Sequence, residues 1–227
     1  MGVVRVLAGA AGAFAVVASA AALVASAEPL PAPSPATPSA LPEIGRTRAT
    51  TPFCAMLRDN VAPALARLMA VDDLLGASRR QYRRMAGESN AAQNFSRIRL
   101  GNAVIGMAHD LSIVRGLVND EKRFPRAGVT DDDRLALRLR SQLQTVAERQ
   151  DAALNTVNGV LETDLLNQMT GGTPHAGRFG FSRGFYRAVA DALGEQQTKV
   201  AQAEAELAPS IVAAAGICSF PRPSASP

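Results

Sequence analysis

Side chains able to do chemistry are few, and histidine is the scarcest: His109 and His175 are the only two in 227 residues. His109 precedes Asp110, which sets an imidazole beside a carboxylate. These are the donor types that hold a divalent cation for metal-assisted hydrolysis. Such a centre needs further ligands from other segments, and His175 lies in the glycine-rich run Gly171-Gly172-Thr173-Pro174-His175-Ala176-Gly177 with no second donor beside it. Di-iron bundles place Glu three residues before His, whereas Gly106 and Gly172 occupy those positions here. The sequence has no Cys-x-x-Cys-His haem attachment and no Gly-x-Ser-x-Gly elbow. Its cysteines and histidines are too few and too scattered for a zinc cluster. No catalytic residue, metal or cofactor is therefore assigned, and a metal-assisted hydrolase on His109 and Asp110 is kept as the alternative.

Arginine is the more informative residue. Lys122 and Lys199 are the only lysines among the 24 basic residues, so nearly all the positive charge is guanidinium. Guanidinium binds phosphate and carboxylate in a bidentate manner, although a GC-rich genome also raises arginine together with alanine and glycine. The arginines cluster at Arg79-Arg80-Gln81-Tyr82-Arg83-Arg84, at Arg97 and Arg99, and at Arg178, Arg183 and Arg187. The glycine-rich stretch to Gly180 follows a helix and lacks the ending of a nucleotide loop, so it reads as a connection.

Whether these clusters act together depends on the elements that carry them. Thr51-Pro52 reads as an N-cap with proline at the first helical position. Cys54, Leu57, Val61, Ala64, Leu68, Val71 and Leu75 then form an apolar stripe at helical spacing, in which Pro63 predicts a kink. A second stripe joins Phe95, Ile98, Ile105, Ala108, Leu111, Val114 and Val118. Thr130 before Asp131, Asp132 and Asp133 marks a third helix start. Its stripe runs from Leu135 through Leu139, Leu143, Val146, Leu154, Val157 and Leu161 to Leu165, and stops at Gly171-Gly172. The fourth begins near Ser182 and continues through Val189, Leu193, Val200, Leu207 and Ile211 to Cys218, with Pro209 expected to bend it. No period-two alternation persists, and no internal repeat is found.

Four long helices with short connections predict an all-α, antiparallel up-down-up-down bundle over residues 51–219. That topology brings the start of the first helix and the end of the fourth to one end of the bundle. Cys54 and Cys218 occupy those places, so a disulfide between them is expected, worth roughly 4–5 kcal/mol on the chain-entropy account. The same topology collects Arg79, Arg80, Arg83, Arg84, Arg183 and Arg187 at the opposite end, as a candidate anion-binding tip.

The flanks give the compartment. Met1 to Ala27 has one early charge, Arg5, then an apolar run and the small residues Ala25-Ser26-Ala27, the form of a cleavable secretory signal. Its alanine-rich core and good cleavage site favour removal over retention as an anchor. Residues 28–50 hold six prolines among alanine and serine and read as an extended linker, and residues 220–227 as a disordered tail. The expected protein is therefore extracytoplasmic, periplasmic or secreted, and of bacterial type. Its expected role is non-enzymatic binding of a partner, an anionic polymer or surface, through the arginine tip. A structural cell-envelope spacer whose helices self-associate is the other alternative. Neither the partner's identity nor the oligomeric state is legible.

Overall fold

Two threonines open helices by the same device. The Thr51 hydroxyl oxygen accepts the Cys54 N–H at 3.1 Å, with Pro52 behind it at the first helical position. Asp133 N–H donates to the Thr130 hydroxyl at 3.1 Å, while Thr130 N–H donates to the Asp133 carboxylate at 2.9 Å. This reciprocal pair is a capping box built with aspartate, and those hydrogen bonds hold the Asp133 carboxyl below the usual range.

In the computed structural model, which describes residues 51–169 and 183–218, the elements are α1 (Pro52–Met56), a π turn (Leu57–Val61), α2 (Ala62–Met85), α3 (Asn90–Val118), α4 (Asp131–Met169) and α5 (Arg183–Cys218). No strand occurs among the described residues. The expected signal, linker, glycine-rich connection with Arg178 and C-terminal tail all lie outside them.

The first rod runs from α1 through the π turn into α2. Pro63 lacks an N–H and its ring crowds the preceding turn. The π turn sits directly before it, where the Ala62 N–H reaches back five residues to the Leu57 carbonyl. The expected kink thus takes the form of one widened turn. Pro209 lies inside α5 on its exposed side, without ending the helix.

Side-chain bridges fix the directions of the rods. From α2 to α3, Gln81 meets Ser96, Arg67 meets Asp110, and the Asn60 amide donates to the Leu117 carbonyl at 2.9 Å. From α3 to α4, Arg115 meets Asp151 and Gln144 meets Asn119. Between the first rod and α5, Arg83 meets Asp191, Arg79 meets Gln197 and Cys54 meets Cys218. In each case residue numbers rise on one helix as they fall on the other, so neighbours are antiparallel. Cys54 and Cys218, 164 residues apart, form the expected disulfide with their Cα atoms 5.7 Å apart. The helices α2 and α4 also touch across the diagonal, which leaves α3 and α5 at the outer corners.

The core contains most of the predicted stripes: Leu57, Val61, Leu68, Val71 and Leu75 from the first rod, Leu139, Leu143, Val146 and Val157 from α4, and Leu193, Leu207 and Cys218 from α5. The second stripe is the exception. Leu111, Val114 and Val118 are buried, but Phe95, Ile98 and Ile105 are 70%, 62% and 69% exposed. Gln93, Ser96, Leu100 and Met107 are buried on α3 instead. Polar contacts at the short α2–α3 turn set this rotation. The Gln93 amide donates to the Met85 carbonyl at 3.1 Å, while Ser96 accepts from Gln81 and donates to Glu88, both at 2.6 Å.

Candidate anion-binding end

The end of the bundle opposite the disulfide is built on the only two tyrosines in the chain. Tyr82 on α2 and Tyr186 on α5 are fully buried, with ring centroids 6.4 Å apart and planes inclined by 23°. The Tyr82 hydroxyl donates to the Val157 carbonyl of α4 at 3.2 Å, and the Tyr186 hydroxyl accepts from Arg97 of α3 at 3.2 Å. All four rods are therefore joined at this end. It brings the C-terminal turns of α2, the first turns of α3 and the first turns of α5 together, as the topology predicts.

The six predicted arginines divide by environment. Arg79 is half-buried and lies across α5, its Nε donating to the Ala190 carbonyl at 3.1 Å and its terminal nitrogen approaching Gln197 at 3.4 Å. It fastens two helices. Arg83 faces Asp191 at 3.7 Å, a loose pair with both partners more than half exposed, the kind that contributes little. Arg80, Arg84 and Arg187 are exposed and make no ion pair among the described residues, and Arg99 on α3 is in the same state. Arg183 opens α5, and its side chain lies outside the described residues. Glu88, in the turn between α2 and α3, accepts from the Ser96 hydroxyl at 2.6 Å.

The His109–Asp110 pair is split by the helix that carries it. Successive residues point about 100° apart, so Asp110 is buried while His109 faces solvent. The Asp110 carboxylate accepts from Arg67 at 2.8 Å, which ties α3 to α2. Among the described residues no three His, Cys, Asp or Glu side chains come together as metal ligands.

A second acidic feature escaped the sequence reading. The α2–α5 register sets Asp72 and Glu204 at matching heights, both half-buried. Burial is the main cause that raises each carboxyl above its usual range, with Asp73 adding to the effect on Asp72 and Asp72 adding to that on Glu204, which reaches about 7. These residues sit seven and ten positions from Arg79 and Gly194, and nothing in the local sequence marks them as facing. Gln150 is likewise invisible as a motif: fully buried, it donates to the Leu68 carbonyl at 2.8 Å from a core register of α4.

Comparison brings no relative to this arrangement. No protein-family model matches the chain, and no curated protein or solved structure is significantly similar to it.

Proposed function

We propose that this chain is an exported, non-enzymatic binding module that meets an anionic polymer or surface with the arginine-bearing end of its bundle. The observation that carries the reading is the grouping of Arg80, Arg84 and Arg187 at one end, exposed and without carboxylate partners among the described residues. Cations gathered on a rigid end raise the local potential and attract polyanions. Guanidinium forks match phosphate and carboxylate oxygens in geometry as well as charge. The disulfide is compatible with an oxidising compartment, in keeping with export.

The test is binding of the purified, disulfide-bonded protein to inorganic polyphosphate and to a sulfated polysaccharide, at low and at high salt. The reading expects retention at low salt that falls steeply as salt rises. Arg80→Glu with Arg84→Glu should weaken it by at least about tenfold, the effect of roughly 1.4 kcal/mol, with the circular dichroism spectrum unchanged. Undiminished binding by that folded variant sinks the proposal, as does an absence of binding at low salt.

A further inference from the structure

The helix α3 carries a row of large apolar side chains that the fold leaves uncovered. Phe95, Ile98 and Ile105 are 70%, 62% and 69% exposed. Together with Asn102 and His109, both exposed, they step by three, four, three and four residues. This is the spacing of a coiled-coil seam, with a polar asparagine at its centre. Phe95 and Ile105 lie about 15 Å apart along the axis, so the row is one face, unlike the scattered apolar residues normal on a monomer. By contrast, the exposed Val212 and Ile217 of α5 are five residues, hence about 140°, apart and share no face.

Charge and area select the occupant. The seam has one unpaired cation beside it, Arg99. Arg115 is held by Asp151 at 2.7 Å, and Asp110 is buried against Arg67. An anionic bilayer binds through clusters of basic residues, which this face lacks. A nearly neutral face does not repel its own copy. At the observed exposures the three side chains leave roughly 350 Å² of apolar area open per copy, judged from the 150–250 Å² that a buried ring covers. With the surrounding polar residues, two such faces reach about 1,200 Å², the lower edge of specific interfaces. Gly101 flanks the row, and a Cβ there meets nothing within 4 Å. Its missing side chain therefore leaves room for a second backbone. Gly159 and Gly216 are equally open, so it is the apolar row, and not glycine alone, that picks the face.

We propose that α3 pairs antiparallel with α3 of a second copy along Phe95, Ile98, Asn102 and Ile105, forming a weak twofold dimer. A twofold axis close to Gly101 sets Phe95 of one copy against Ile105 of the other and makes the contact self-complementary. Antiparallel pairing about this axis also sets the two arginine-bearing ends about 30 Å apart along the helices, whereas parallel pairing brings like charges together.

Sedimentation equilibrium of the purified, disulfide-bonded protein over about 1–200 μM tests this, with a monomer–dimer equilibrium of Kd about 10–100 μM expected for an interface of this size. Ile98→Ser with Ile105→Ser should weaken dimerisation more than about tenfold, the effect of losing two interface anchors, and should leave the thermal midpoint of the monomer unchanged. A clean monomer across the range overturns the proposal, and so does a dimer indifferent to those substitutions. Binding of monomeric protein to phosphatidylglycerol vesicles that the same substitutions abolish would give the face to lipid and equally overturn it.

Discussion

The guanidinium of Arg79 lies over Gly194: a Cβ at that glycine would come within 2.5 Å of the Arg79 terminal nitrogen and 2.7 Å of its central carbon. Glycine in mid-helix weakens α5, and here it makes room for the side chain that bonds the Ala190 carbonyl. Arg79→Ala should therefore cost about 1–2 kcal/mol and lower Tm by several degrees, with anion binding retained. Gly194→Ala gains about 1 kcal/mol in helix propensity and loses a hydrogen bond of similar worth, so alone it should be near neutral. In the Arg79→Ala background the loss is already taken, and the same substitution should stabilise by about 1 kcal/mol. A double-mutant cycle by urea unfolding checks this. Additive effects would show that arginine and glycine are not coupled.

The disulfide spans 164 residues and joins the outer turns of the first and last rods. On the chain-entropy account a loop of that length contributes about 5 kcal/mol. For a domain of this size that corresponds to a Tm loss of roughly 10–20 °C on Cys54→Ser with Cys218→Ser, read by differential scanning calorimetry. The helical spectrum should survive at 20 °C, because Cys54 and Cys218 are end members of a core whose other buried side chains run the length of α2, α3, α4 and α5.

Features that were legible are those fixed by local chemistry or by topology alone. Thr51 and Thr130 announce helix starts because their hydroxyls answer backbone N–H groups within three residues. Cys54 and Cys218 find each other because an even number of antiparallel rods returns the chain to its starting end. The row Phe95, Ile98 and Ile105 shares its stripe with the buried Leu111, Val114 and Val118 yet faces outward, because apolar spacing reports a face and not the direction in which it points. That direction is set by Gln93 and Ser96, whose partners at Met85, Gln81 and Glu88 close the α2–α3 turn. Arg79 and Arg84 look equivalent in sequence for the same reason. Only the placement of α5 shows that one fastens helices while the other meets water.

Asp110 and His109 should part company under substitution. Asp110 bridges α3 to α2 through Arg67 at 2.8 Å, with Arg67 about half exposed. Asp110→Ala should therefore cost about 1 kcal/mol, after allowance for water on the arginine side. His109→Ala changes an exposed position, and its effect should stay within about 0.5 kcal/mol. Urea midpoints for the two variants decide between a structural carboxylate and a functional pair. A phosphoesterase activity in the wild type lost equally in both would restore the hydrolase alternative.

Glu204 makes the stability of the fold depend on pH between about 4.5 and 7. Burial, with the charge of Asp72 adding to it, raises the Glu204 carboxyl from 4.5 to about 7, and Asp72 is raised in the same sense by burial and by Asp73. A raised carboxyl means that the folded protein holds a proton that the unfolded chain has already released. Folding therefore takes up protons between these values, and stability falls as pH rises. The contribution is complete below about pH 4.5 and is lost as pH rises through about 7. Glu204→Gln keeps the neutral hydrogen-bonding shape at every pH. It should match the wild type at pH 4 and exceed it at pH 8, by about 2–4 °C in Tm, the shift that 1 kcal/mol produces in a domain of this size. Parallel Tm curves for the two proteins from pH 4 to 8 would mean that the carboxylate stays hydrated and ionised between α2 and α5. A flatter curve for the variant locates the proton uptake at that interface.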